Sequence, residues 1–153
     1  MQTLIRETAV LIANADVFLD TNIILYASNG RFDDPEKHQT ATGLLTVPFG
    51  TSGQVLAEFY TNAVRKGSEP LSVKRAKEWI TLLSRKPCQP VDSDIVQSGI
   101  QNSERYDISY WDGAIIAAAE RMGATILYTE DLNHGQTYGS VKAINPFKEP
   151  VGA

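Results

Sequence analysis

The sequence has little of the chemistry on which many catalytic and binding proteins depend. Its one cysteine, Cys88, excludes an internal disulfide and a zinc site built from several cysteines. The two histidines, His38 and His134, make no zinc-binding pattern with Cys88. A P-loop, a Gly-x-Gly-x-x-Gly fingerprint and a Gly-x-Ser-x-Gly nucleophile motif are all missing from the sequence. A single cysteine fits a reducing compartment, so we expect the protein to be cytoplasmic.

Long apolar runs are missing as well. No run approaches the ~20 apolar residues that span a membrane, so we expect no membrane segment. The apolar run at residues 9–13 follows Glu7 and is shorter than the ~7–15 apolar residues of a signal peptide. We therefore interpret residues 1–15 as a peripheral N-terminal extension.

Net positive charge is the third absence. The formal charge of −4 excludes a protein that binds nucleic acid through a uniformly basic surface. The charge is uneven, however, because residues 65–86 carry seven basic residues and only two acidic ones. This stretch is either an ordinary solvated helix face or a surface that steers a polyanion. The candidates for phosphate contact are Arg65, Lys66, Lys74 and Arg75.

What the sequence does contain is an alternation of strand-like and helix-like segments. With 42% hydrophobic residues, the 153-residue chain has the size of one domain around a single core. Strands alternating with helices predict an α/β fold on a mainly parallel sheet. The predicted strands are 17–19, 49–52, 89–91, 124–128 and 141–144, the last one at an edge. The predicted helices are 22–27, 36–46, 53–66, 73–84 after a Ser72 cap, 94–105 after a Ser93 cap, and 111–122.

Four carboxylates lie where these predicted elements begin or end, or on a helix between them. Asp20 and Asp131 directly follow strand-like runs, Asp112 opens a very apolar helix, and Glu58 lies in the helix 53–66. Ligands of parallel α/β folds bind beyond the carboxyl ends of the strands. Converging carboxylates repel one another unless a hard divalent cation holds them. The pattern therefore predicts a magnesium or manganese site.

Each carboxylate also has a purely structural interpretation. Asp20 can be a helix N-cap, since Asp, Thr and Asn are all preferred there. Glu58 lies about 60° from Val55 around the helix, as expected for a solvated side chain. Asp112 completes the capping-box pattern Ser-x-x-Asp with Ser109.

The polar loop after the strand 124–128 leaves a choice between two carboxylates. Asp131 is the candidate ligand, and Glu130 beside it is the competitor for the same role. His134, in the same loop, can touch a substrate phosphate or simply belong to the polar surface. Loops at the carboxyl ends of strands often carry catalytic residues, whereas a polar loop with no further role is the alternative.

Five segments together resemble the PIN-domain nucleases, especially the small VapC-type toxins of toxin–antitoxin pairs. They are VFLDTNI at 17–23, QVLAEFY at 54–60, SYWDGAIIAAA at 109–119, ILYTEDLNHG at 126–135 and NPF at 145–147. The resemblance covers roughly residues 16–147. It divides the chain into an N-terminal extension at 1–15, a PIN-like nuclease domain at 16–147 and a C-terminal tail at 148–153.

The resemblance implies a three-layer α/β/α sandwich and a metal-dependent endoribonuclease. It implies that one or two Mg²⁺ or Mn²⁺ ions are held by an acidic site made of Asp20, Glu58, Asp112 and Asp131. Asp20 and Asp112 are the expected direct ligands, and the other two bind directly or through water. The side chains expected to hydrogen-bond to the site are Thr21, Asn22, Ser109 and Thr129.

Partners and rival functions follow from the same acidic site. A VapB-like antitoxin with a basic tail would suit, because an inserted arginine pairs well with clustered carboxylates. The resemblance also implies a homodimer and an RNA substrate. One rival is a metal-dependent phosphohydrolase of small phosphate esters, although the sequence at residues 20–22 lacks the Asp-x-Asp signature of the haloacid-dehalogenase type. The other is a catalytically idle PIN-like scaffold that binds RNA or protein.

Overall fold

The computed structural model describes residues 15–148, which form six strands and six helices. The strands are β1 (Val17–Leu19), β2 (Thr51–Ser52), β3 (Cys88–Gln89), β4 (Ile126–Tyr128), β5 (Thr137–Tyr138) and β6 (Val141–Ile144). The helices are α1 (Thr21–Asn29), α2 (Pro35–Leu44), α3 (Gly53–Ala63), α4 (Val73–Leu83), α5 (Ser93–Tyr106) and α6 (Tyr110–Met122).

Five of these six strands are parallel. Four strands are ordered β1-β4-β6-β5, and β5 alone runs antiparallel to its neighbour β6. The parallel pair β2-β3 joins the other edge of β1 through a bridge between Phe18 and Gly50. There the Gly50 amide donates to the Val17 carbonyl at 2.8 Å, and the Leu19 amide donates to the Gly50 carbonyl at 3.1 Å. The predicted three-layer α/β/α fold on a mainly parallel sheet is confirmed.

The core is built from strands and a helix that are apolar on nearly every side. Phe18, Leu19 and Leu127 are fully buried in the two central strands β1 and β4. The run Ala114–Ala119 of α6 is buried along its whole length, as expected for a helix without a polar face. Strands buried on both faces read as continuous apolar runs, which is why β1 and β4 were recognisable.

The structure corrects three details of the sequence interpretation. The strand β6 was predicted at the sheet edge, but β5 covers it and forms the edge itself. The N-cap of α5 is Asp92, whose side chain accepts from the Ile95 amide, and not Ser93. The strand predicted to start at Gln89 begins one residue earlier, at the half-buried Cys88.

The expected terminal segments fall almost wholly outside the described residues. Of the predicted extension at 1–15 and tail at 148–153, only residues 15 and 148 are described. Among residues 15–148, no helix has the length and apolar character needed to cross a membrane.

Candidate active site

Asp20 follows β1 at the carboxyl edge of the sheet and is the N-cap of α1. Its Oδ1 accepts a hydrogen bond from the Thr21 amide at 2.7 Å. Its Oδ2 accepts one from Thr129 Oγ1, at the end of β4, at 2.8 Å. Asp20 is only 5% exposed. The capping role and the position at the sheet edge therefore coexist in this one side chain.

Glu58 is tied to the same edge, although its place on the helix indicated a solvated side chain. Thr21 Oγ1 donates to Glu58 Oε2 at 2.8 Å, and Gln54 Nε2 donates to Glu58 Oε1 at 2.8 Å. The same Gln54 amide also donates to the Trp111 carbonyl at 3.2 Å. Glu58 is thus linked to Asp20 through Thr21, and to the start of α6 through Gln54.

Asp112 lies in the first turn of α6, where the predicted cap is present. The Ser109 Oγ accepts from the Asp112 amide at 3.1 Å. The helix packs closely on α5, since a Cβ atom added to Gly113 would overlap the Gly99 carbonyl. Asn102 Nδ2 also donates to the Gly113 carbonyl at 3.0 Å. These contacts fix the backbone that carries Asp112.

The loop after β4 separates its two carboxylates. Asp131 faces Asn22, whose Nδ2 lies 3.3 and 3.4 Å from the two carboxylate oxygens. Glu130 turns instead to Tyr26 Oη at 2.6 Å and to Lys37 Nζ at 2.9 Å. Of the two competitors, Glu130 already has a cationic partner. Asp131 is the one directed to the sheet edge where Asp20, Glu58 and Asp112 lie, and these four carboxylates are called the acidic edge below.

The four carboxylates influence one another electrostatically. Burial raises the pKa of Asp20 to about 7, and the charges of Asp131 and Glu58 add to the rise. The pKa of Asp112 is raised mainly by burial and further by Glu58. The pKa of Asp131 is raised by partial burial and by Asp112, Glu130 and Glu58. Glu58 contributes to the rise in all three cases, as expected for side chains that lie in one region.

The side chains of the site provide oxygen atoms that suit a hard cation. In this arrangement, however, the oxygens are not placed around one common position. Within residues 15–148, no three Asp, Glu, His or Cys side chains are placed to hold one metal ion. Instead, neutral groups donate to the carboxylates: Thr21 to Asp20 and Glu58, Thr129 to Asp20, and Asn22 to Asp131. Carboxylate, hydroxyl and amide oxygens are the ligands that Mg²⁺ and Mn²⁺ prefer. An ion would have to replace these hydrogen bonds by rotation of the side chains.

The residues predicted to contact RNA phosphates differ in their surroundings. The four basic candidates are all exposed, and Lys66 lines a cleft together with Asn22. Arg75 forms a surface ion pair with Glu78 at 2.9 Å. His134 Nδ1 accepts from the Asn145 amide at 2.9 Å, so this nitrogen holds the end of β6.

Sequence reasoning missed two groups of residues beside the edge. Gln54 precedes Glu58 by four residues, and this i,i+4 spacing is a signal for a side-chain pair on a helix. The second group is the cluster of Tyr26, Lys37, Glu130 and Phe147, in which Lys37 Nζ lies 4.9 Å from the Tyr26 ring and 5.2 Å from the Phe147 ring. Its members are far apart in the sequence and no local pattern connects them.

Solved structures with a similar fold come from toxin–antitoxin systems. VapC20 of Mycobacterium tuberculosis, a toxin that cleaves the sarcin-ricin loop, is 22% identical, with a TM-score of 0.59 over 75% of this chain and 89% of that chain. A toxin–antitoxin complex from Klebsiella pneumoniae is 18% identical, with a TM-score of 0.61 over 87% and 99%. VapBC2 from Rickettsia felis, bound to promoter DNA, is 18% identical, with a TM-score of 0.56 over 83% and 96%. At such low identities the likeness establishes the fold alone.

The sequence itself identifies the family. A search among curated proteins gives no match. The family profile of the PIN domain, in contrast, matches residues 17–139, which is most of the chain. This range contains β1, β4 and all four carboxylates of the acidic edge. The chain belongs to the PIN-domain family.

Proposed function

We propose that the protein is a Mg²⁺- or Mn²⁺-dependent endoribonuclease and the toxin of a VapBC-type toxin–antitoxin pair. The observation that supports this most is the acidic edge of a PIN-domain fold. Asp20, Glu58, Asp112 and Asp131 come from four separate segments, and the charge of Glu58 helps to raise the pKa of each of the other three. Among the described residues, none of the four forms an ion pair. Their charge therefore stays available to a cation.

In this proposal the carboxylates hold the metal and their neighbours hold the carboxylates. Asp20 and Asp112 bind one or two ions directly, while Glu58 and Asp131 bind directly or through water. A bound ion supplies a water of lowered pKa and neutralises charge on the scissile phosphate. Thr129 orients Asp20, since its hydroxyl already donates to that carboxylate.

Three further polar residues complete the acidic edge. Thr21 orients Glu58, Asn22 orients Asp131, and Ser109 begins the helix that carries Asp112. Phosphodiester hydrolysis needs no covalent intermediate with the protein in this scheme. The exposed Arg65, Lys66, Lys74 and Arg75 steer the RNA backbone towards the edge.

The partners follow from the same charge. The similar structures include toxin–antitoxin complexes, and an uncompensated acidic edge suits an arginine inserted by a VapB-like antitoxin. We further propose a homodimer that acts in the cytoplasm, where RNA is available. Sedimentation of the purified protein tests the dimer directly.

Cleavage of mixed single-stranded RNA by the purified protein tests the proposed reaction. We expect cleavage with Mg²⁺ or Mn²⁺, none with EDTA, and none by Asp20→Asn or Asp112→Asn. Asp92→Asn is the matched control, because Asp92 caps α5 and pairs with Arg121 instead of facing the edge. Asparagine caps a helix about as well as aspartate does. Cleavage that survives EDTA or Asp20→Asn contradicts the proposal.

Two other outcomes would support the rival functions. Hydrolysis of small phosphate esters without RNA cleavage would indicate a phosphohydrolase, whose acidic site uses the same ligands. Tight RNA binding without cleavage under any metal would indicate an idle scaffold. All four acidic positions of the family's site are filled in this sequence, which favours the nuclease over that scaffold.

A further inference from the structure

A large aromatic side chain stands exposed beside the acidic edge. Trp111 is 61% exposed, and the next residue is Asp112. Consecutive Cα atoms lie only about 3.8 Å apart. Successive side chains of a helix point about 100° apart, so the indole stands at the rim while the half-buried Asp112 faces inward. An aromatic ring this exposed needs an explanation, because exposed tryptophans often mark binding surfaces.

The backbone beneath this indole is tied to the acidic edge. Gln54 Nε2 donates both to the Trp111 carbonyl at 3.2 Å and to Glu58 Oε1 at 2.8 Å. A ligand that rests on the indole is therefore held at a defined distance from Glu58 and Asp112.

The ring also has a fixed support on its other side. The Tyr110 and Trp111 rings meet edge to face, with centroids 5.1 Å apart and an interplanar angle of 75°. Tyr110 in turn packs against α5 at Gly99, where an added Cβ would lie 3.0 Å from its Cε1 atom. A ring that is positioned in advance loses little conformational freedom on binding.

We infer that Trp111 is a stacking platform for an unpaired nucleobase next to the scissile phosphate. This inference rests on the proposed function, because it assigns a role in binding RNA to a residue beside that site. Every nucleobase has a π-face, and single-stranded RNA is commonly bound by stacking on aromatic side chains.

The charge of the molecule favours this role for the indole. The acidic edge repels phosphates, and the net charge of −4 gives no general attraction for RNA. Stacking adds affinity close to the carboxylates that does not depend on charge. A protein partner would compete for the same ring, since tryptophan is also enriched in protein–protein interfaces.

Fluorescence can test the inference directly, because the chain has two tryptophans in different surroundings. Trp79 is partly buried and packs against the core residue Phe59, with ring centroids 6.0 Å apart. The Trp79→Phe variant leaves Trp111 as the reporter, and Trp111→Phe leaves Trp79. We expect a short oligoadenylate, added in EDTA so that no cleavage occurs, to quench Trp79→Phe strongly and Trp111→Phe hardly at all.

Affinity measurements separate stacking from backbone contacts. We expect Trp111→Ala to weaken oligoadenylate binding about tenfold. Trp111→Leu, which keeps apolar bulk without a π-face, should weaken it nearly as much, whereas Trp111→Phe should retain most of the affinity. An abasic oligonucleotide with the same backbone should bind all these variants equally. The circular dichroism of each variant shows whether it is folded.

Three results overturn the inference. The first is unchanged oligoadenylate affinity in Trp111→Ala. The second is equal loss of affinity for the abasic and the base-containing strand. The third is a loss of self-association in Trp111→Ala, by sedimentation, with RNA binding intact, which would identify a protein contact.

The failure of this inference can be told apart from that of the proposed function. Base-dependent binding without cleavage under any metal would overturn the nuclease and leave the stacking role in place. Metal-dependent cleavage that is unaffected by Trp111→Ala would do the reverse.

Discussion

Two neighbouring carboxylates in the loop after β4 have opposite surroundings. Glu130 accepts from the cationic Lys37 at 2.9 Å and from Tyr26 at 2.6 Å. Within residues 15–148, the carboxylate of Asp131 accepts only from the neutral side-chain amide of Asn22, and other carboxylates lie near it. Asn22 and Tyr26 are one turn apart on α1, so a single helix face holds both acidic residues. Glu130 is neutralised by a cation, whereas Asp131 has no cationic partner among the described residues and is the one that we propose binds the metal ion.

The difference extends to the clusters around them. Glu130 belongs to a compact group in which the Tyr26 and Phe147 rings lie 5.2 Å apart with Lys37 above both. This group connects α1, α2, the loop after β4 and the segment after β6. The acidic edge, in contrast, contains four carboxylates bonded to neutral partners. Burying charge without a counter-ion costs stability, and proteins accept that cost at functional sites more than elsewhere.

The largest predicted effect is on RNA cleavage, which a change at the acidic edge should reduce far more than a change at Glu130. We expect Asp20→Asn to lower RNA cleavage at least about a thousandfold, which leaves none detectable in a simple cleavage assay, because a lost metal ligand costs several kcal/mol in the transition state. Glu130→Gln should lower cleavage by less than about tenfold, since Glu130 lies in the cluster of Tyr26, Lys37, Glu130 and Phe147, where Lys37 neutralises it. This group is called the neutralised cluster below. Single-turnover rates on one RNA substrate measure both. Equal losses would remove the distinction drawn between the two regions.

In EDTA, where no metal ion is bound, we expect the inactive variant Asp20→Asn to be more stable than the unaltered protein. Burial raises the pKa of Asp20 from 3.8 to about 7, so the native state binds this proton more tightly than the unfolded state does. The contribution is therefore most favourable below about pH 4, is lost as the pH rises towards 7, and stays lost above it. We expect Asp20→Asn to raise the free energy of unfolding by about 2–4 kcal/mol at pH 8.

Urea unfolding of Asp20→Asn at several pH values provides the check. The gain in stability should shrink to near zero at about pH 3, where the carboxyl of the intact protein is protonated in both states. The asparagine can keep both hydrogen bonds, accepting from the Thr21 amide and donating to Thr129 Oγ1. A gain that does not depend on pH would contradict the electrostatic explanation.

Removing a charge from the neutralised cluster should lower the free energy of unfolding, by less than Asp20→Asn raises it. We expect Lys37→Met to lower the free energy of unfolding by about 1–2 kcal/mol, because it leaves Glu130 without its cation. Glu130 is only 19% exposed in its side chain, so water replaces the lost partner poorly. Adding Glu130→Gln should recover part of the loss. A double-mutant cycle from urea unfolding measures the coupling, and additive losses would mean that the ion pair contributes nothing.

The smallest effect is expected on the basic surface of α4. Arg75 and Glu78 are 64% and 46% exposed in their side chains, so Arg75→Ala should change the free energy of unfolding by less than about 0.5 kcal/mol. If Arg75 contacts one phosphate, the variant should also flatten the salt dependence of RNA binding, by about 0.7 in log–log slope. An unchanged slope would assign this arginine to the solvated face alone.

Elements with strong local patterns were predictable from the sequence. The strands β1 and β4 and the helix α6 have continuous apolar runs, and Ser72 and Ser109 cap the helices where they were expected. The edge strand β5 was not recognised because it has only two residues, Thr137–Tyr138. A signal was present: Gly139-Ser140 separates Tyr138 from Val141, and Gly139 has φ of +63°, which fits a two-residue hairpin turn.

The acidic edge was predictable in its positions and not in its connections. The ends of β1 and β4 indicate where Asp20 and Asp131 lie, because parallel strands share a carboxyl edge. Helix periodicity alone assigned Glu58 to solvent, whereas Thr21 and Gln54 hold it at the edge. Partners that come from other segments leave no local pattern, and the same reason hides the pairing of Lys37 with Glu130.

The crossing of α5 and α6 gives the acidic edge an unusual dependence on the smallest residue. Gly113 directly follows Asp112, and a methyl group at 113 would overlap the Gly99 carbonyl, while one at 99 would be tight against Ala114 and Tyr110 at 3.0 Å. Even an alanine at 113 would wedge the helices apart and shift the start of α6 together with its carboxylate. The absence of a Cβ atom at both glycines therefore lets the two helices approach closely, and this approach sets the distance between Asp112 and the other three carboxylates.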